Sequence, residues 1–360
     1  MWLSAIIGLF VAYQLFGTGW YETRAQETLA ATFSEHVAAG TGGGAVPDAT
    51  TTTVPSASTT VPVSAPATVP VTTMSPATEQ AIRLVRDALP GDVIARIVAP
   101  EIGLDKYVVE GVGVDQLRAG PGRYQGSSVL GARGNASVAG HRSTYGAPFG
   151  RLDELLPGDT ITVMTPVGDA TYQVIDPLEA FASSLDSLHS IDAGHAVVGP
   201  DDGFVLGDFG DDRLTLTACH PRYSARERIV VVARLVGLPL ALLEPAVTPP
   251  DPTSTDPAVT GGGDVTPVTD AMGNTQSTVR PATPNVKEMA VPNLRQGLDG
   301  LPEELAPTIV LALLMLVTIA GITVTAASMG SLRAGLFGVL PFCFVLWNLF
   351  EHVGRLLPAY

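Results

Sequence analysis

The chain has 360 residues, 46% of them hydrophobic, with 29 prolines, 38 glycines and a formal net charge of −15. Apolar spans joined by unstructured connectors give that mixture, and the length allows one or two ordinary domains. Only 20 Lys and Arg are present, scattered rather than clustered, which excludes nucleic acid as a partner because phosphate binding needs grouped cations.

Residues 2–17 (WLSAIIGLFVAYQLFG) are apolar and uncharged, slightly short of the roughly 20 residues a bilayer span needs. They lack a basic flank and a small-residue cleavage site, so they read as an uncleaved anchor over residues 1–18 rather than a signal peptide. The absent flank also leads to the expectation that the true start lies upstream. Residues 19–39 have helical composition and continue the anchor outward. Residues 40–78, rich in Thr, Pro, Ala and Val with almost no charge, cannot build a core and read as a disordered tether through a cell envelope.

Residues 79–243 have the character of a folded domain. Seven β-rich runs recur between turn signals, at 92–100, 106–112, 135–141, 160–166, 170–176, 213–219 and 228–237, while only 79–89 and 149–156 look helical. That spacing predicts a mainly β fold, a barrel or sandwich with short helices. A second Pro/Thr/Gly-rich connector occupies 244–302. Residues 303–330 contain a charge-free apolar run from 308 to 329 and are expected to form a transmembrane helix. A further span is expected at 334–351, shortened and kinked by Pro341, the alternative being a segment that lies in the interface or re-enters. With the β domain outside the cell membrane, the anchors run outward, inward and outward again. Arg333 then falls in the cytoplasmic loop, as the positive-inside tendency prefers.

Two cysteines, Cys219 and Cys343, lie in a strand-like run and an apolar run respectively, so a disulfide between them is not expected. In RLTLTAC, residues Leu214, Leu216 and Ala218 share one strand face, and Thr215, Thr217 and Cys219 share the other. Cys219 ends that strand before His220 and Pro221. A cysteine so placed is as often a small half-buried hydrophobe as a reactive thiol. His141 ends the run NASVAGH after Gly140, which permits close approach. His220 is the rival base, although strand neighbours point to opposite faces. Arg228 opens RIVVVARL on the face opposite Ile229, Val231 and Ala233, with Arg226 as its competitor. A hairpin between Cys219 and Arg228 would put both on neighbouring strands. Cys, His and Arg on strand ends suffice for acyl transfer: a thiolate attacks, an imidazolium protonates the leaving amine, and a guanidinium holds the oxyanion.

The segments GNASVAGHRSTYGAPFGRLDEL and LTLTACHPRYSARERIVVVARL, with His, Cys and Arg in that order, resemble the sortases, and class E, the actinobacterial housekeeping type, in particular. The resemblance implies an eight-stranded sortase-type β barrel with transmembrane helices at both ends. It implies a cysteine transpeptidase that cleaves LPXTG- or LAXTG-like sorting signals on secreted proteins at Thr-Gly, through a thioester, and passes them to a peptidoglycan precursor amine. His141, Cys219 and Arg228 carry over as catalytic residues, with the minor thiolate–imidazolium form reacting. Tyr124, in GRYQGSS, falls where class E members have a tyrosine linked to substrate choice. The family pattern TLXTC has Thr before the cysteine, whereas this chain has Thr217-Ala218-Cys219; Thr217 and Ala218 are therefore expected substrate contacts, with Ala218 altering which signal is preferred. No cofactor or metal is implied. Three rivals stand beside this reading: an anchored sortase substrate, for which LPEEL at 301–305 lacks Thr-Gly; a silent sortase-fold scaffold; and a hydrolytic cysteine peptidase.

Overall fold

The computed structural model describes residues 2–40, 75–243, 268–269, 275–276, 294–295, 300–329 and 331–357. The connectors expected at 40–78 and 244–302 fall largely outside those residues. Helix α1 (Trp2–Ala12) runs through a π-helical turn, Tyr13–Gly17, into α2 (Thr18–Gly40). Helix α3 (Pro76–Arg86) opens on a Ser75 cap, whose side chain accepts from the Thr78 amide, with Pro76 in the first turn where its missing N–H costs nothing. Then come β1 (Val93–Ala99), β2 (Leu104–Glu110), α4 (Val114–Ala119), β3 (Gly122–Arg123), β4 (Asn135–Ala139), β5 (Thr160–Thr165), β6 (Gly168–Val174), α5 (Pro177–Ala180), β7 (Ser190–Ile191), β8 (Ala196–Val198), β9 (Arg213–His220) and β10 (Glu227–Val236). Helices α6 (Leu305–Met329) and α7 (Ser331–Leu356) follow. Residues 245–290 form a separate unit, in which Val268–Thr269 pairs with Thr275–Gln276.

The strands hydrogen-bond in the order β6-β5-β1-β2-β3-β4-β9-β10, and β10 returns to β6 through Ala233–Val236, so eight strands close into a barrel. The pairs β2–β3 and β4–β9 are parallel, making the barrel mixed. The β7–β8 hairpin takes the remaining edge of β10, at Arg228–Val230. All seven runs expected to be strands are strands. The two- and three-residue strands β3, β7 and β8 are too short for any alternation to announce them. Residues 149–156 are not an α-helix: only Leu152–Glu154 makes a 3₁₀ turn, with Leu152 and Leu155 buried and Pro157 closing the segment.

The strand faces divide as the alternation predicts. Leu214, Leu216, Ala218, Ile229, Val231 and Ala233 fill the barrel interior with residues of β1, β4, β5 and β6. Cys219, Val230 and Val232 point outward into a second buried cluster with Tyr124, Ala139, Val198 and Phe181. Each fully buried aliphatic side chain there contributes about 1.5–3 kcal/mol to folding, so a strand-end cysteine is enclosed rather than exposed.

Helix α2 lies against the barrel rather than projecting from it. The Gln26 side-chain amide donates to the Tyr107 and Ala119 carbonyls at 3.1 and 2.9 Å and accepts from the Tyr107 amide at 2.7 Å. Lys106 pairs with buried Glu22 at 2.6 Å. Helices α6 and α7 form a hairpin whose open ends meet, the Leu301 amide donating to the Arg355 carbonyl at 2.8 Å. Tyr13 packs with Met315, Val345, Leu346 and Phe350 of that hairpin. The segments expected to span a membrane at 1–18 and 334–351 are helical. Among the described residues, however, only Pro302–Ser328 is long and apolar enough to cross one.

Candidate active site

Strand β9 is flanked by β4 on one side and β10 on the other, and this sandwiching assembles the site. Arg228 on β10 is the register partner of Cys219. On the other side Ala139 pairs with Thr217, and the Gly140 amide donates to the Thr217 carbonyl at 3.1 Å. His141 follows at once, so the chain brings it alongside the end of β9. A Cβ on Gly140 would come within 2.7 Å of the Phe149 ring, which is why the residue before His141 has no side chain.

Cys219, His141 and Arg228 are all buried. Neither cysteine forms a disulfide. Among the described residues neither ring nitrogen of His141 has a hydrogen-bond partner, so no carboxylate orients it. Burial, with the Arg118 charge adding to it, pushes the His141 pKa down to about 3. The imidazole is therefore neutral in this enclosed arrangement. The rival His220 is committed elsewhere: its Nδ1 lies 2.7 Å from Arg142 Nη1, and its register partner is Glu227.

Arg228 is saturated by carbonyls on one side and open on the other. Its Nη1 donates to the Ala225 and Glu227 carbonyls, both at 2.9 Å, and its Nε to the Leu294 carbonyl at 3.1 Å. Its Nη2 is buried without an acceptor among the described residues. A buried guanidinium N–H with nothing to donate to is costly unless an acceptor arrives during function.

Tyr124 and Thr217 come together beside Cys219, their hydroxyls 2.9 Å apart, and burial pushes the Tyr124 phenol up to about 12. Ala218 does not join them. Its side chain faces the barrel interior with Leu216 and Ile229, because strand neighbours project to opposite faces.

Three residues that the strand patterns do not single out also reach the site. Leu294 is fully buried in the cluster that holds Cys219. Tyr145 packs against His141 with ring centroids 5.1 Å apart and the planes tilted by 35°, and holds a left-handed φ of 48° that a non-glycine residue adopts only when neighbours fix it. Buried Arg118 lies over the rings of Tyr145 and Tyr21, at 5.2 and 4.7 Å, and pairs with Glu351 of α7, which also accepts from the Tyr13 hydroxyl at 2.7 Å.

The last chain makes Glu351 a charge partner two steps from His141. Tyr145 from the histidine's own loop packs on it, Arg118 of α4 lies over Tyr145 and over Tyr21 of α2, and Glu351 offsets Arg118. Glu351→Gln is expected to leave Arg118 with only the 3.9 Å contact to Asp115 and to disfavour the imidazolium further. The acid limb of the kcat/KM profile should then move about one pH unit lower, the scale of one charge at several ångströms and an effective dielectric near 20. Its plateau should fall with it, and Glu351→Asp should restore both; a pH–rate series on the three proteins checks this.

A family model described as the sortase domain matches residues 97–236. Over 155 residues the chain is 27% identical to sortase SrtE1 of Streptomyces coelicolor, covering 41% of each protein. Over 146 residues it is 29% identical to sortase A of Bacillus anthracis, covering 40% of this chain and 60% of that one. The chain thus spans less than two thirds of the length of these relatives. Among solved structures, a Clostridium perfringens sortase D5 transpeptidase aligns at a TM-score of 0.37 and 25% identity, over 44% of this chain and 88% of that one. The domain match and the relatives support a sortase.

Proposed function

We propose that the chain is a membrane-anchored cysteine transpeptidase of the class E sortase type, with Cys219 as nucleophile, His141 as proton carrier and Arg228 as oxyanion clamp. The observation that carries this reading is the register: Arg228 sits opposite Cys219 on one side of β9, and the β4–β9 pairing delivers His141 on the other. In the reacting form the proton has passed from the thiol to His141. The thiolate forms a bond to the carbonyl carbon of the Thr-Gly peptide, and the displaced electron pair becomes an oxyanion opposite Arg228, whose Nη2 lacks an acceptor in the resting site. Collapse breaks the C–N bond, and His141 gives its proton to the leaving amine. The resulting thioester is then attacked by a peptidoglycan precursor amine, with His141 taking the proton. Tyr124 and Thr217, whose hydroxyls meet beside Cys219, are assigned to substrate binding.

The cluster of helix ends at one side of the domain supports the membrane assignment. Tyr13, Glu304 and Glu351 all lie where α1, α6 and α7 meet the domain: Tyr13 bonds to Glu351, and Glu304 pairs with His352 and Arg355. That arrangement suits spans at both ends of the chain with the catalytic domain outside the cell membrane. Residues 79–243 are assigned as the catalytic domain.

The test is to incubate the full chain in detergent micelles with LPXTG and LAXTG peptides, with and without oligoglycine or a diaminopimelate-type amine. An acyl-enzyme on Cys219, seen by intact-mass spectrometry, and transfer to the amine are expected, and Cys219→Ala should abolish both. Absence of any acyl-enzyme would overturn the reading, whereas cleavage without transfer would mark a hydrolytic peptidase.

A further inference from the structure

Leu294 and Arg295 come from the stretch between β10 and α6, far in sequence from the residues they meet. Leu294 is fully buried among Tyr124, Ala139, Val198 and Cys219. Its carbonyl takes the Nε–H of Arg228 at 3.1 Å. Arg295, exposed, pairs with both oxygens of Asp201 at 2.5 and 2.6 Å, and that carboxylate also feels the Arg228 charge. An aliphatic side chain against the cysteine, a peptide carbonyl on the guanidinium and a cation on a rim carboxylate are three contacts of the kind a peptide substrate would make.

We propose that Leu294-Arg295 is a cis-bound occupant of the active-site groove, that it competes with peptide substrate for Arg228 and the face beside Cys219, and that Asp201 is the residue that fastens it. The proposal rests on the groove being the peptide site.

Physical chemistry favours the closed form. A segment tethered at both ends presents itself at an effective concentration on the order of millimolar, so a dilute peptide meets an occupied groove. The occupant also helps enclose the site: Leu294 shares the buried cluster of Cys219 and its carbonyl takes an Arg228 N–H, so a carbonyl carbon reaches Sγ only once Leu294 leaves. Nothing covalent is involved, since the occupant presents its carbonyl to Arg228 Nε and leaves Nη2 without an acceptor. Its Asp201–Arg295 fastening is solvent-exposed and thus weak on its own, so a substrate held close by can displace it.

The test measures the rate at which iodoacetamide alkylates Cys219 in the full chain in micelles, on a Cys343→Ser background because Cys343 is exposed. Arg295→Ala and Asp201→Asn, both surface changes, should each raise the rate by about 2–5-fold, the scale of one exposed ion pair. Leu294→Asp, which puts a carboxylate where an aliphatic chain was buried, should raise it on the order of tenfold or more. For a sorting peptide, KM should fall in the same order with kcat unchanged. Unchanged or slower alkylation in both surface variants, with unaltered melting, would overturn the proposal even if Leu294→Asp fails to fold. Alkylation does not need turnover. Faster alkylation with no peptide processed by any of the proteins would therefore sustain the occupant and sink the transpeptidase reading, while turnover with unchanged alkylation would do the reverse.

Discussion

Replacing Arg228 with alanine is expected to lower kcat for peptide transfer by on the order of 10²–10³, the cost of losing one oxyanion donor in a closed site. Two effects oppose each other in this variant. Removing the guanidinium takes away the group that would meet the developing oxyanion, and it also releases the Leu294 carbonyl that the same side chain binds. The second effect eases entry and so acts on KM and on alkylation of Cys219, which should become faster. It cannot compensate the first, because easier binding stabilises substrate and transition state alike and leaves kcat untouched. Truncation further leaves the Ala225 and Glu227 carbonyls without their donor, so a lower melting temperature should accompany the loss. Arg228→Lys should preserve the charge but not the fork that serves three carbonyls, and should recover little activity. A fall in kcat of less than tenfold in Arg228→Ala would point to Arg226 or another donor, and single-turnover kinetics distinguish the cases.

The second large effect is on acid stability and comes from His141. Its folded pKa, about 3, lies below the 6.5 of the exposed side chain. Between those values the unfolded chain binds a proton that the folded chain does not. Unfolding is therefore favoured as pH falls through that window, and the stability from neutral His141 is fully present only above about pH 6.5. The limiting slope for one such group is about 1.4 kcal/mol per pH unit, and it is half-developed at pH 6.5, which gives roughly 2 kcal/mol between pH 6.5 and 4.5. His195 and His220, both pushed down chiefly by burial, act in the same sense, while Glu110, pushed up chiefly by burial, acts in the opposite one. The clean measurement is therefore a difference. His141→Gln should lose its melting temperature less steeply than the parent between pH 6.5 and 4.5, and parallel curves would show that His141 is accessible to protons in the folded chain.

Much of the site can be read from local pattern. The alternation in residues 213–219 and 228–237 fixes which side chains share a face, and the short turn between them fixes Cys219 against Arg228. Period-2 alternation is set by the backbone of a strand itself, so it survives whatever packs around it. Ala218 illustrates the same rule from the other side: attention to the motif makes it a substrate contact, whereas alternation alone sends it into the barrel interior. What the linear sequence conceals is pairing at long range. Arg118 and Glu351 are 233 positions apart, and Arg228 and Leu294 are 66 apart. Neither pair has a periodic signature, since each depends on where the helices and the connector come to rest. The short strands β3, β7 and β8 are hidden for a related reason, being held by neighbours rather than by their own propensity.

The docking of α2 on the barrel has a consequence for how the protein meets its reactants. Gln26 and Glu22 fasten that helix to β2 and to the end of α4, so the connector that follows cannot act as a spacer between anchor and domain. On the membrane reading proposed above, the catalytic centre rides at a fixed, low height over the lipid surface. A protein still threaded through the bilayer by its own tail, and an amine carried on a lipid, would then find the groove by lateral diffusion in two dimensions. Reactants released into the medium would seldom reach it.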